Sequence, residues 1–361
     1  MQHSTSIFFM LKHPIFSYTQ REYSNLFTKG KRLAGSLYRQ WFKDGKLTLD
    51  MPAFIQAKAC VEGIYEATDW TLPVVATVHK EGDTQKFLLK LSDDKMVESV
   101  CIPMKSSVTL CVSSQVGCRM GCTFCETGRM GLIRNLSAAE IVSQVYAARF
   151  ILKSPIKNIV FMGMGEPFDN YDEVKQAIRI LTDQSGLAFG MHNISVSTSG
   201  KLEAILRLAH DSDISPNLAI SLNAPNDALR SKVMPHNRKE NLSALKDTIM
   251  AYTAKTGRPV LLAYVLMKGV NDSIECADQL IEYIRGLDVK INLIPYNAQS
   301  VDRFQAPDNE VVESFAAHLH AAKVRVLLRR TKGRSIMAGC GQLGKVENSR
   351  KLSIIGDRMT V

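Results

Sequence analysis

Gly117-Cys118-Arg119-Met120-Gly121-Cys122-Thr123-Phe124-Cys125 places three of the chain's eight cysteines within eight residues, spaced C-x-x-x-C-x-x-C. Structural zinc normally takes four ligands, commonly in short-spaced pairs. Three thiols on one glycine-bearing loop suit instead a four-iron cluster with one iron left open to chelate a small molecule. What surrounds this loop decides the fold. It follows a predicted strand near 107–112, and further strands are predicted near 158–163, 193–198, 217–222, 259–266, 289–295 and 324–330. Helices are predicted between them, near 137–152, 171–183, 200–210, 240–255, 272–286 and 309–321. Ser137 and Glu140 stand at capping-box spacing and mark the start of the first. Repeated βα units require a parallel sheet, because each crossover returns the chain to the same end. Six such units fall short of an eightfold barrel, which leaves an α/β partial barrel or an open sheet. Either way the active site is expected at the C-terminal ends of the strands.

Working outward, residues 18–65 carry helical spacing, as at Leu33, Leu37 and Trp41. Lys29, Lys31, Arg32 and Arg39 give that segment a basic face, either solvated or in contact with RNA. A small meander follows in Val74–Val78, Phe87–Leu91 and Val97–Ile102, with turn signals at Glu81-Gly82-Asp83 and Asp93-Asp94. The expected organisation is a helical RNA-binding accessory domain (1–70), a β-meander linker (71–104), the βα core with a C-terminal loop (105–345) and a basic tail (346–361).

Composition narrows the function. Forty-five Lys and Arg against thirty-five Asp and Glu leave a formal charge of +10, which favours a polyanionic partner such as RNA. The longest apolar run, Val260 to Met267, is far short of the roughly 20 residues that span a bilayer. Ile7–Leu11, followed by Pro14 with no small-residue cleavage site, does not match a signal peptide. The few, clustered cysteines fit metal or redox chemistry in a reducing cytosol. A cytoplasmic enzyme or RNA-binding protein is the expectation.

Polar residues gather at the predicted catalytic rim. Met162-Gly163-Met164-Gly165-Glu166-Pro167 ends the second strand with glycines that let backbone approach a ligand. Ser197 ends the third strand, Ser221-Leu222-Asn223 the fourth and Asn297 the sixth. Singly, each would be read as a cap or turn former. Their convergence on one rim favours ligand binding.

The three-cysteine loop resembles the radical S-adenosylmethionine (SAM) superfamily, with Phe124 at the aromatic position that packs near adenine. The resemblance implies Cys118, Cys122 and Cys125 as ligands of a [4Fe-4S] cluster. It also implies Gly165, Glu166, Ser197, Ser221, Leu222, Asn223 and Asn297 as SAM contacts. Two further segments, Thr109 to Gln115 around Cys111 and Ala338 to Leu343 around Cys340, narrow the likeness. With Val270-Asn271-Asp272 they resemble the RlmN/Cfr family of radical SAM RNA methyltransferases over nearly the whole chain.

Adenine C2 and C8 are poor nucleophiles, so simple displacement from SAM cannot methylate them. The resemblance implies a route through two SAM molecules. Cys340 is methylated by the first; the second is cleaved reductively, and its radical removes hydrogen from that methyl group. The carbon radical adds to the adenine carbon, giving a protein–RNA adduct. Cys111 then attacks the Cys340 sulfur, releasing methylated RNA and leaving a Cys111–Cys340 disulfide. Glu98 matches the proton acceptor. Cys60, Cys101 and Cys276 match no catalytic position and are read as structural.

Asn223 stands where a His is frequent, and Ser335-Ile336-Met337 replaces a common acidic pair. Near that segment Lys323, Arg325, Arg329, Arg330, Lys332 and Arg334 form a basic run suited to RNA phosphates. Glycines on both sides of Cys340 predict a mobile, poorly packed loop. Val112 to Gly117 and Ile291 to Asn297 look closer to RlmN, implying C2 methylation of 23S rRNA and of tRNA beside the anticodon. The same resemblance implies flavodoxin or ferredoxin as electron donor, no membrane and a monomer. The alternatives are Cfr-type C8 methylation, a non-catalytic Fe-S RNA-binding protein, and a radical SAM enzyme acting on a small molecule or peptide.

Overall fold

In Val260–Leu266 every second side chain is buried, the period-two signature of a strand with one face on the core. It is one of ten strands that form a single sheet in the computed structural model, which describes residues 12–299, 303–329 and 332–344. The strands lie in the sheet in chain order. They are β1 (Val74–Glu81), β2 (Thr84–Lys90), β3 (Met96–Pro103), β4 (Val108–Cys111), β5 (Ile156–Phe161), β6 (Ile194–Thr198), β7 (Asn217–Ser221), β8 (Val260–Leu266), β9 (Val289–Pro295) and β10 (Val326–Leu328). From β4 to β10 every pairing is parallel, while β1 to β4 pair antiparallel. Six helix-bearing crossovers join the seven parallel strands, as the βα alternation predicts, and among the described residues β10 and β1 are the edge strands.

The strands and helices fall within a few residues of their expected positions, with two differences. The helix over 137–152 is α-helical only for Ala138–Tyr146 and continues as a π-helical turn over Ala147–Ile151. That wider turn brings Tyr146 and Phe150 to a centroid distance of 4.7 Å, against the N-terminal module. Its start is as expected: Ser137 Oγ accepts the Glu140 N–H at 3.3 Å, and Glu140 Oε2 accepts the Ser137 N–H at 2.9 Å. The final strand is shorter than 324–330, covering Val326–Leu328 only.

The meander expected as a linker is built into the barrel sheet, with Val100 of β3 in register with Cys111 of β4. The helical module is also packed in. Leu37 and Trp41 of helix Lys31–Asp44 are buried, while Lys29, Lys31, Arg32 and Arg39 are exposed. Trp41 stacks on Tyr146 at 5.4 Å, and one apolar core runs from Ile15 to Leu343. No helix among the described residues is long and apolar enough to cross a membrane. The basic tail 346–361, Arg330 and Ile7–Leu11 lie outside the described residues.

Candidate active site

After β4 the chain leaves the sheet to make a small hairpin that no local signal announced. Gln115–Cys118 pairs antiparallel with Gly131–Asn135, and the short helix Glu126–Met130 lies between them. Cys118 ends the first hairpin strand, Cys122 lies in the loop, and Cys125 precedes the helix. All three thiols line a cavity of about 1050 Å³, its open mouth included, at the C-terminal ends of the parallel strands.

The donor set fits the iron cluster. Burial pushes the Cys118 thiol up to about 12, and the neighbouring Cys125 adds to the shift. Cys122 is raised by burial and by both other thiols, and Cys125 is raised by burial. Bare thiolates are therefore disfavoured in this dry corner, and binding of cationic iron in place of the protons would offset that cost. Among the described residues no group of metal-ligating side chains converges as the ligands of one ion would. A cubane cluster asks for something else, since each thiolate meets a different iron.

Glu166 is buried in the loop that follows β5 and lines the same cavity as the cysteines. Its Oε2 accepts the Ser199 N–H at 2.7 Å and its Oε1 the Phe168 N–H at 3.2 Å. Burial nonetheless raises its pKa, with these hydrogen bonds opposing the shift. Gly165 makes the turn possible: its φ is +106°, and a Cβ there would lie 2.7 Å from that of Gln115. Gln115 in turn accepts the Glu166 N–H at 2.8 Å.

Of the expected SAM contacts, Gly165, Glu166, Ser197, Ser221 and Asn223 line the cavity. Leu222 has a fully buried side chain, and Asn297 lies behind the lining, donating from Nδ2 to the Cys340 carbonyl at 3.1 Å. Asn223 adopts a left-handed φ of +58°, a conformation that asparagine tolerates, and accepts the Val265 N–H at 2.9 Å. Asn271 holds that turn by donating to the carbonyls of Asn223 and Val265. Phe124 lines the cavity, as do Thr198, Ser199, Asn292 and Tyr296, which sequence reasoning missed.

Arg230 was also missed. It is 1% exposed, and its guanidinium donates to the carbonyls of Leu222 (3.1 Å), Ser199 (2.6 Å) and Ser221 (3.0 Å) and to Asn237 Oδ1 (2.7 Å). It thereby staples the rim of β6 to that of β7. Only the folded chain brings these acceptors together, so no spacing pattern could have found it.

Cys340 lies in the wall of the same cavity. The loop expected to be poorly packed is instead pinned from several elements. Gly341 O accepts the Glu126 N–H at 2.8 Å, Leu343 O accepts Thr127 Oγ1 at 2.5 Å, and Gln342 Oε1 accepts the Gly339 N–H at 2.7 Å. Gly341 takes a φ of +83°, which accounts for one of the glycines.

Cys111 and Glu98 stand behind the cavity wall, and Glu98 lies two residues before Val100, the register partner of Cys111. Burial pushes the Cys111 thiol up to about 12, with Cys340 adding to the shift and Arg329 opposing it. The two thiols are within electrostatic reach of one another and both are free. Glu98 is 1% exposed: Oε2 accepts the Gly344 N–H at 2.5 Å, while Oε1 lies 3.1 Å from Lys86 Nζ without hydrogen-bond geometry. In the basic run Lys323, Arg325, Lys332 and Arg334 are exposed and Arg329 is half-buried; Arg325 pairs with Asp288.

Comparison with known proteins agrees with this geometry. Residues 112–283 match the Radical SAM superfamily model. The chain is 50% identical over 345 residues to the "Probable dual-specificity RNA methyltransferase RlmN 1" of Protochlamydia amoebophila, covering 94% of this chain and 96% of that protein. It is 42% identical to the dual-specificity RNA methyltransferase RlmN of Geotalea uraniireducens, covering 79% and 83%. Among solved structures, a radical SAM methyltransferase from Sphaerobacter thermophilus superposes with a TM-score of 0.85 at 35% identity, covering 92% of this chain and 99% of that one.

Proposed function

This chain belongs to the RlmN family of radical SAM RNA methyltransferases, and from that premise we infer that it methylates C2 of adenosine in 23S rRNA and in tRNA next to the anticodon. The family works with a [4Fe-4S] cluster and SAM, and the term "dual-specificity" in its relatives' names supports two RNA substrates. One observation carries the mechanism. Cys340 lies more than 200 residues from the three-cysteine loop in sequence, yet it lines the same cavity as Cys118, Cys122, Cys125 and Glu166.

When bound, the cluster supplies the electron that cleaves SAM. Cys118, Cys122 and Cys125 would hold it, leaving one iron for the methionyl end of SAM. Glu166, with Gly165, would fix the amino group, while Ser197, Ser221 and Asn223 would line the nucleoside end; Leu222, whose side chain is buried in the core, would only join the two lining residues on either side of it. Asn297 would act through the Cys340 carbonyl that it already holds. The Cys340 thiol takes the methyl group, and that carbon becomes the bridge to the base. Glu98 takes the proton from the adenine carbon; its Oε1, which accepts no hydrogen bond, has a lone pair for it. The Cys111 thiolate then attacks the Cys340 sulfur, so a disulfide forms, the carbon–sulfur bond breaks with its electron pair on carbon, and that carbon takes a proton to become the methyl group of the departing RNA. The same reading takes flavodoxin or ferredoxin as electron donor, a monomer as the working unit and the cytoplasm as its compartment.

The test separates the two remote thiols. Cys111→Ala should trap RNA on the protein as a nuclease-sensitive band on denaturing gels, and Cys340→Ala should give neither adduct nor methylated RNA. Normal turnover by Cys111→Ala would overturn the assignment. Nucleoside mass spectrometry against standards reads C2 against C8.

A further inference from the structure

The meander that continues the barrel sheet grips the Cys340 segment at three places. Glu81 of β1 accepts the N–H groups of Gly333 (3.0 Å), Arg334 (3.2 Å) and Ser335 (2.6 Å). Lys86 of β2 donates from Nζ to the Met337 carbonyl at 3.4 Å. Glu98 of β3 accepts the Gly344 N–H at 2.5 Å. Lys86 and Glu98 also form an ion pair at 3.1 Å, with side chains only 9% and 1% exposed.

Burying an ammonium and a carboxylate together costs desolvation that their attraction seldom more than offsets. Lysine is among the residues least often found buried. Here each member of the pair turns one contact onto the loop. The Lys86 contact falls three residues before Cys340 and the Glu98 contact four residues after it, so the pair spans the loop from beneath. Without Lys86 the Glu98 carboxylate would be a buried charge with one oxygen facing no cation.

We propose that Lys86 is a positioning residue, forming with Glu98 a latch that holds both ends of the Cys340 loop at the cavity wall. The proposal rests on the roles given above to Cys340 and Glu98. Lys86 fixes where the methyl-bearing sulfur stands relative to the rim of β6 and β7. It also holds the Glu98 carboxylate oriented beneath the loop, where that residue is placed as the proton acceptor. The contact between Glu98 and the Gly344 N–H ties the position of the loop to that carboxylate.

The latch is read out by hydrogen exchange and by alkylation of Cys340 in the reconstituted full-length protein, both followed by peptide mass spectrometry. Lys86→Met should speed exchange over 338–344 by about tenfold or more, the factor lost with a charge-assisted hydrogen bond. Cys340 alkylation should rise in parallel, and Lys86→Arg should restore most of the protection. Glu81→Gln is the control, loosening 333–335 while leaving 338–344 protected. Exchange over 338–344 within twofold of wild type in Lys86→Met would overturn the latch. If Lys86→Met does not fold, wild type decides: the Gly344 amide should be protected like the amides of β2 and β3, and exchange at the rate of a free loop would overturn the proposal. Loss of methylation in Glu98→Gln with unchanged exchange in Lys86→Met would keep the base assignment and discard the latch. Normal methylation in Glu98→Gln with fast exchange in Lys86→Met would do the reverse.

Discussion

Replacing Arg230 by Met tests whether the rim of the cavity is held by one guanidinium. Methionine keeps much of the side chain's length and apolar stem but donates no hydrogen bond. Three carbonyls, those of Ser199, Ser221 and Leu222, and the Asn237 amide oxygen would each lose a donor in a site from which water is excluded. The Leu222 carbonyl keeps the Ala224 N–H at 2.8 Å, so at about 1–3 kcal/mol for each of the other three stranded acceptors the gross loss is roughly 3–9 kcal/mol. Part of this is recovered, because burial lowers the pKa of Arg230, the sign of a guanidinium under desolvation cost. Removing a charge whose burial cost several kcal/mol leaves a net loss of about 3–5 kcal/mol. At about 2 °C per kcal/mol for a chain of this size, the melting temperature should fall by roughly 6–10 °C. Ser199 also holds Glu166, so SAM affinity measured by calorimetry should drop about tenfold, the equivalent of one lost hydrogen bond of ~1.4 kcal/mol. Arg230→Lys keeps the charge but cannot span four acceptors, and should recover less than half of the loss. A fall below about 2 °C with unchanged SAM affinity would refute the reasoning, showing that the carbonyls find partners without the guanidinium.

Two further outcomes follow from the charges. The thiolate of Cys111 is scarce at neutral pH because burial pushes the thiol to about 12, so RNA release from the adduct should quicken roughly tenfold per pH unit between about 7 and 9, and a flat single-turnover profile would contradict this. The same raised pKa stabilises the fold fully below the unfolded value near 9 and is lost as pH rises toward 12, at up to ~1.4 kcal/mol per unit; alkaline unfolding of Cys111→Ala should be correspondingly shallower. For RNA binding, neutralising exposed Lys31, Arg32, Lys323 or Arg334 should each flatten the slope of log K against log salt by about 0.7–0.9, whereas a salt-insensitive affinity would assign their charge to solubility alone.

What was legible in the sequence is what depends on neighbours along the chain. The strand at Val260–Leu266, the cap at Ser137 and the spacing of Cys118, Cys122 and Cys125 are all local, and all appear where expected. Contacts made across the fold left no such trace. The glycines beside Cys340 speak of backbone freedom, but Asn297, Thr127 and Glu126 supply the bonds that remove it. The acceptors of Arg230 come from three separate segments. Leu222 was placed at the rim by its polar neighbours, yet an apolar side chain there turns into the core.

The aromatic seam between the helical module and the barrel has a consequence for biosynthesis. Phe16, Trp41 and Phe42 are covered by Tyr146, and Phe150 packs on Tyr146 at the π-helical turn. The ribosome makes the module first and reaches its cover only about a hundred residues later, a wait of roughly 5–20 s at ordinary elongation rates of ~5–20 residues per second. During that interval the newly made helices present an uncovered aromatic face. That face is closed only once the segment carrying Tyr146 and Phe150 has emerged and packed against it.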